Sequence, residues 1–100
     1  MNKFNRFLIK GRNIIYYMRI DSRPRSQYLR VVRDWRDLAL ELYRSGEGDA
    51  NILKEILDII PSKVSPSECR DIMEVIREKI YYSIQFPDQT NINPYQCFDE

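Results

Sequence analysis

The sequence has no histidine, only two cysteines and only three glycines among its 100 residues. Histidine titrates nearest to neutral pH, so its absence removes the commonest general acid and base. The two cysteines, Cys69 and Cys97, match no zinc-ligand spacing, and Gly46 and Gly48 flank a glutamate in a stretch too short to cradle phosphate. We therefore predict no enzymatic activity, no cofactor and no metal site.

The cysteine content is typical of a protein from a reducing compartment, and it predicts a cytoplasmic chain with both thiols reduced. An alternative is a disulfide between Cys69 and Cys97 that joins the tail to the last helix. The spacing of Cys69 with Ile72, Met73 and Ile76 indicates a core position rather than a reactive thiol. No apolar run approaches the roughly 20 residues of a membrane span, so we predict no transmembrane segment.

Charge is distributed very unevenly along the chain. Residues 1–36 contain ten basic side chains and two acidic ones, a net charge of +8, whereas the other 64 residues contain six basic and thirteen acidic groups, a net charge of −7. Either the two halves neutralise each other in the fold, or one end faces a partner of opposite charge. The first 20 residues hold five basic groups and no acidic one, which leaves a targeting segment and a membrane-surface helix as alternatives for this stretch.

Apolar residues at helical spacing predict four helices, at about 2–19, 23–45, 50–60 and 66–85. The second has the widest apolar face and is expected to be the central helix. Asp49 is the expected cap of the third helix, and Ser65 with Glu68 predicts a capping box at the start of the fourth. In the first, the run IIYYMRI from 14 to 20 is rich in β-branched and aromatic residues, so a short strand is an alternative there.

These elements predict one all-α domain over residues 1–86, a small bundle of three to four helices, followed by an irregular tail at 87–100 that contains two prolines. A homodimer is a further expectation, because a chain of this length can leave part of its wide apolar stripes uncovered.

The arginines of the second helix are expected to be solvated and paired with its own aspartates, as Arg30 with Asp34 and Arg33 with Asp37, so Trp35 is predicted to be a core anchor. Basic residues around the turn between the first two helices lack such partners. The predicted partner-binding residues are Arg12, Tyr16, Arg19, Arg23, Arg25 and Arg30.

The resulting hypothesis is a small non-enzymatic interaction protein, such as an adaptor, assembly factor or inhibitor, that binds an acidic protein partner. Phe4, Phe7, Tyr16 and Tyr17 would supply aromatic anchors for that contact. The alternative is a nucleic-acid-binding regulator that uses the same arginines, with tyrosines stacking on bases. The acidic second half and a pI near 7.7 count against that alternative.

Overall fold

The computed structural model describes residues 2–20 and 25–81, and within them the side chains of residues 2–18 and 27–79. Four α-helices make up most of this part: α1 (Lys3–Ile20), α2 (Arg25–Ser45), α3 (Ala50–Ile59) and α4 (Cys69–Ile76). A single 3-10 turn, Pro66–Glu68, precedes α4, and a π-helical segment, Arg77–Tyr81, follows it. The described residues contain no strand, which confirms the predicted all-α helical bundle.

Helix α1 begins where Asn2 supplies its cap. The amide of Asn5 donates to Asn2 Oδ1 at 2.7 Å, which satisfies one of the N–H groups that a helix start leaves without a partner. The helix then continues without interruption to Ile20. The strand considered for residues 14–20 is therefore wrong, because packing of a helical face outweighs the local preference of β-branched residues.

Helices α1 and α2 pack antiparallel, and one aromatic side chain fixes their relative position. The Trp35 ring stacks on Phe7 with centroids 4.5 Å apart and planes 4° from parallel. Its indole Nε1 also donates to the Phe7 carbonyl oxygen at 2.8 Å. Further along, Tyr28 packs on Tyr17 with ring centroids 6.4 Å apart. Trp35 is fully buried, so its predicted role as a core anchor is confirmed.

Helix α2 lies at the centre of the bundle, as its wide apolar face predicted. It contacts α1, α3 and α4, as well as the 3-10 turn before α4. Helix α1 is buried over a wide part of its circumference, since Ile9, Asn13 and Tyr17 are buried as well as Phe7 and Ile14. The spacing of apolar residues identifies one buried side of a helix. It does not show whether a second side is also covered by neighbouring elements.

Two glycines in the left-handed region connect α2 to α3. Gly46 has φ of 75° and Gly48 has φ of 83°, backbone conformations that a side chain disfavours. Gly48 also receives the Phe4 ring, which a Cβ atom at position 48 would overlap. Asp49 then caps α3 by accepting from the amides of Asn51 and Ile52, which confirms its predicted role.

The start of α4 differs from the predicted capping box. Ser65 has no side-chain bond to a backbone amide; its hydroxyl donates to Glu68 Oε1 at 2.9 Å. The Glu68 amide bonds the Ser65 carbonyl oxygen at 3.1 Å, and this closes a 3-10 turn. Because the tighter turn brings residues 65 and 68 together through the backbone, the two side chains bond each other instead of the free amides.

The predicted fourth helix, 66–85, is described as far as residue 81, as the 3-10 turn, α4 and the π-helical segment. Residues 82–86, the predicted tail at 87–100 and Cys97 lie outside the described residues.

Candidate interaction surface

The arginines of α2 have two different environments. Arg30 and Arg33 are exposed, whereas Arg36 is largely buried and its Nε donates to the Ile60 carbonyl oxygen at 2.9 Å. That carbonyl lies at the carboxyl end of α3, where main-chain acceptors lack helical partners. Arg36 therefore fastens α3 to α2, a structural role that its sequence position did not indicate.

The ion pairs predicted within α2 do not form. Among the described side chains, neither Arg30 with Asp34 nor Arg33 with Asp37 comes within ion-pairing distance, and Asp37 instead lies 3.9 Å from Arg36 Nη1. With 74% of the Asp37 side chain exposed, that contact is weak. Holding two long side chains in one geometry costs rotamer freedom, which is enough to leave exposed pairs of this kind unformed.

The outward face of α2 carries charges of both signs. Its exposed charged residues are Arg30, Arg33, Arg44, Asp34, Asp37 and Glu41. Three cations and three anions over less than five turns largely cancel beyond a Debye length, which is about 8 Å at physiological salt. This face therefore does not extend the basic character of the first half of the sequence.

Two of the four aromatic residues expected to anchor a partner are not accessible. Phe7 and Tyr17 are 0% and 1% exposed because both face α2, so their assignment as anchors is wrong. Phe4 is partly buried and packs against the core and on Gly48. Tyr16, by contrast, is 44% exposed and is the one aromatic of this set that a partner can reach directly.

Tyr16 lies on the side of α1 that faces away from α2. Nine residues separate it from Phe7, which at 100° per residue places the two side chains about 180° apart around the helix. Positions 12, 16 and 19 follow one another at i, i+4 and i+7 and so form one stripe along this side. We call Arg12, Tyr16 and Arg19 the basic stripe.

The members of the basic stripe differ in how much the structure describes. The Arg12 side chain is half-buried and already has an interaction partner, so only part of its guanidinium is available to a ligand. For Arg19 the structure describes the helical backbone position but not the side chain. The accessible centre of the stripe is the Tyr16 ring.

The other predicted binding residues are not gathered on this stripe. Arg25 begins α2 and, because α1 and α2 are antiparallel, lies at the same end of the helix pair as Arg19. Arg23 lies outside the described residues. Arg30 is about 140° around α2 from Trp35, which faces α1, so Arg30 points away from α1 and does not join the stripe. A binding role for the six residues stays a prediction.

The described part of the chain offers little support for a reactive thiol or a metal site. Burial raises the pKa of the Cys69 thiol above its ordinary value, an effect larger than the opposing one of the nearby Arg33 charge. The thiol also donates to the Ser65 carbonyl oxygen at 3.6 Å. A thiol in this environment stays protonated at neutral pH and is a poor nucleophile. Across the described ranges, no three cysteine or carboxylate side chains gather in a metal-binding arrangement.

Two further apolar side chains are unusually exposed, and neither was among the predicted binding residues. Tyr43 on α2 is 42% exposed and Val75 on α4 is 37% exposed. For Val75 a signal was present, because it falls outside the spacing of the core residues Cys69, Met73 and Ile76 on the same helix.

Comparisons with protein-family models, with curated proteins and with solved structures found no match. None of the helices in the described ranges combines the length and hydropathy that crossing a bilayer requires. The functional interpretation therefore depends on the residues and their arrangement.

Proposed function

We propose that this chain is a non-enzymatic interaction protein of the cytoplasm that binds an acidic protein partner through the basic stripe. The neighbouring arginines at positions 23 and 25 would extend the contact around the end of the α1–α2 pair. The observation that carries the proposal is the exposure of Tyr16, at 44%, on a helix that buries its other tyrosine and one of its phenylalanines completely.

The chemistry of the stripe suits a carboxylate-rich protein surface. An aromatic ring supplies a large contact area at a small cost in side-chain entropy, and tyrosine and arginine are enriched among the residues that dominate binding energy. Arginine adds forked hydrogen bonds to carboxylates, which give the contact direction as well as charge. A rim of positive charge around one apolar centre is the usual anatomy of such a contact.

The alternative of nucleic-acid binding has less support. A nucleic-acid-binding protein presents a continuous positively charged surface along the phosphate backbone. Its affinity comes from several phosphate contacts made at once. The outward face of α2 presents acidic residues among its arginines, and these would repel a phosphate backbone.

Photo-crosslinking from two matched positions tests the proposal. We would replace Tyr16 or Tyr43 with a benzophenone amino acid in the native host, because the two tyrosines are almost equally exposed, at 44% and 42%. Crosslinking from position 16 should capture one defined protein that is absent from the position 43 control. The same set of products from both positions would contradict the proposal.

Charge dependence is tested on the captured complex. The variant with Arg19→Glu, Arg23→Glu and Arg25→Glu should lose the position 16 product while its circular dichroism is unchanged. In parallel, a labelled mixed pool of DNA and RNA is titrated at low and moderate salt. Binding to that pool with no protein product would overturn the proposal in favour of nucleic acid.

A further inference from the structure

The burial of Ile9 on α1 is not explained by the packing of the described helices. Ile9 is 3% exposed, yet at 100° per residue it lies about 160° around α1 from Phe7, which stacks on Trp35 of α2. The other buried apolar side chains of α1 all belong to the common core cluster, and Ile9 does not. A part of the chain outside that cluster therefore covers Ile9.

The covered area extends from Ile9 along the same side of α1. Asn13, four residues later, is 1% exposed although polar, and it already has an interaction partner. Side chains at i and i+4 are neighbours on a helix surface, so these two residues form one continuous contact area. Tyr16 follows three residues after Asn13 and is 44% exposed, so the covered area ends beside it.

Neither α4 nor the connection between α1 and α2 accounts for this contact. Helix α4 contacts α1, but its buried residues belong to the core cluster that leaves out Ile9. The connection at residues 21–24 has only four residues with which to join two helix ends. It begins after Ile20, about 16.5 Å along the helix axis from Ile9, and so cannot also reach that side chain.

The chain that follows the π-helical segment is long enough and begins in the right place. The π-helical segment contacts α1, so residue 82 follows beside this helix. The sequence continues for 19 residues after Tyr81, and at about 3.3 Å each they can span about 60 Å, twice the length of α1. This stretch also supplies apolar side chains suited to Ile9, namely Ile84, Phe86, Ile92, Tyr95 and Phe98.

We propose that residues 82–100 bind the side of α1 that holds Ile9 and Asn13, as an internal ligand beside Tyr16. Ile9 and Tyr16 are about 20° apart around the helix and about 10.5 Å apart along it. A partner bound at Tyr16 gains contact area on this side only when the segment leaves, so the two compete. The competition rests on the proposed function, whereas the contact with Ile9 does not.

The natural Cys97 allows the contact to be observed in the full chain. A nitroxide reagent should label this thiol selectively, because burial keeps the thiol of Cys69, the other cysteine, protonated. Paramagnetic broadening should be strongest for the amides around Ile9 and Asn13. It should be weaker for the amides of α3, which packs on α2 and α4. Equal broadening of α1 and α3, or none in either, would overturn the inference.

Two substitutions on the same side of α1 provide a matched comparison. Ile9→Asn places a polar group in the contact and should abolish the broadening, whereas Tyr16→Asn, at an exposed position, should retain it. Trp35 emission checks that α1 stays packed on α2 in both variants. If asparagine at position 9 unfolds the chain, Ile9→Ala replaces it and should weaken the broadening. Broadening that is unchanged by the substitution at Ile9 would contradict the contact.

The crosslink from position 16 tests the competition. Ile9→Asn should raise the yield of that product at least about two-fold, because a segment that occupies the site half of the time halves the apparent affinity of a partner. Lost broadening with an unchanged yield would reject the competition. If position 16 gives no product in any variant, the proposed function fails, and the nitroxide experiment still decides on the contact.

Discussion

Trp35 makes two separate contacts to α1 through one side chain, a stack on the Phe7 ring and a hydrogen bond to the Phe7 carbonyl oxygen. The stack contributes buried area, and the bond satisfies a main-chain acceptor that already belongs to a helix. Because the indole is fully buried, neither contact is replaced by water when the side chain is shortened.

Two substitutions at Trp35 separate these contributions. Trp35→Phe keeps most of the ring and removes the bond, and should lower the free energy of unfolding by about 1–2 kcal/mol. Trp35→Ala also leaves a cavity and should cost about 3–5 kcal/mol. Urea denaturation followed by circular dichroism measures both. Equal losses for the two variants would show that the hydrogen bond, and not the stack, dominates.

Gly46 and Gly48 form a natural pair for a test of close packing. Both have positive φ, so alanine at either position costs about 1 kcal/mol from backbone strain. Only Gly48 receives the Phe4 ring, and nothing lies within 4 Å of a Cβ atom at Gly46. We expect Gly48→Ala to be destabilising by at least about 1 kcal/mol more than Gly46→Ala in urea. Adding Phe4→Ala should remove most of that difference.

Individual side chains are where sequence reasoning was least complete. The apolar spacing of α2 was sufficient to identify Trp35 as a core residue. It was not sufficient for Arg36, which looked like one more solvated arginine, because its partner is a main-chain carbonyl 24 residues away. Asn13 is 1% exposed although polar. No local pattern indicates contacts that only the packing of distant elements creates.

At the scale of the element, the helix starts show two ways of satisfying the first amides. Asp49 accepts from two amides of α3 through its carboxylate, and Asn2 does the same for one amide of α1. Ser65 has the sequence of a capping box but bonds Glu68 directly, after a 3-10 turn. The sequence motif identified the place where the chain turns into a helix and not the geometry of the turn.

Asp49 and Ser65 should therefore contribute different amounts to the free energy of unfolding. Asp49→Ala removes bonds to two amides and should cost about 1 kcal/mol, within the range of 0.5–2 kcal/mol found for caps of this type. Ser65→Ala removes no bond to an amide and is expected to cost less than about 0.5 kcal/mol. Thermal unfolding of the two variants provides the comparison. An equal loss at Ser65 would indicate that the capping box forms in solution.

At the scale of the whole molecule, α1 is part of the core rather than an appendage of it. Phe7, Ile14, Ile15 and Met18 are buried with residues of α2. A membrane-surface role for the apolar face of α1 would require it to leave these partners, and so would removal of residues 1–20 as a targeting segment. The apolar stripe itself was visible in the sequence, but which surface it covers was not.

Deletion of residues 2–20 tests this dependence. The shortened chain should lose cooperative unfolding and much of the helicity of its remaining residues, because Trp35 and the apolar face of α2 become exposed. Circular dichroism across a urea series measures both quantities. Adding a synthetic peptide of residues 2–20 should restore part of the signal. A sharp transition without the peptide would show that α2, α3 and α4 suffice.

The helical bundle could be predicted because each helix has its own set of apolar residues at helical spacing, and glycines or prolines separate the helices. The candidate surface could be predicted only in part. Tyr16 was among the predicted binding residues and is exposed, whereas the burial of Phe7 and Tyr17 and the outward direction of Arg30 depend on where α2 lies. That direction is a property of packing between helices and not of either helix alone.

The single tryptophan of the chain is stacked on α1 and shielded from water. Indole fluorescence responds to the polarity and quenching groups around the ring, so the natural protein contains an optical reporter of whether α1 is docked. Emission from Trp35 should shift to longer wavelength in any condition that lifts α1 from α2. Binding at Tyr16, on the far side of α1, should leave it unchanged.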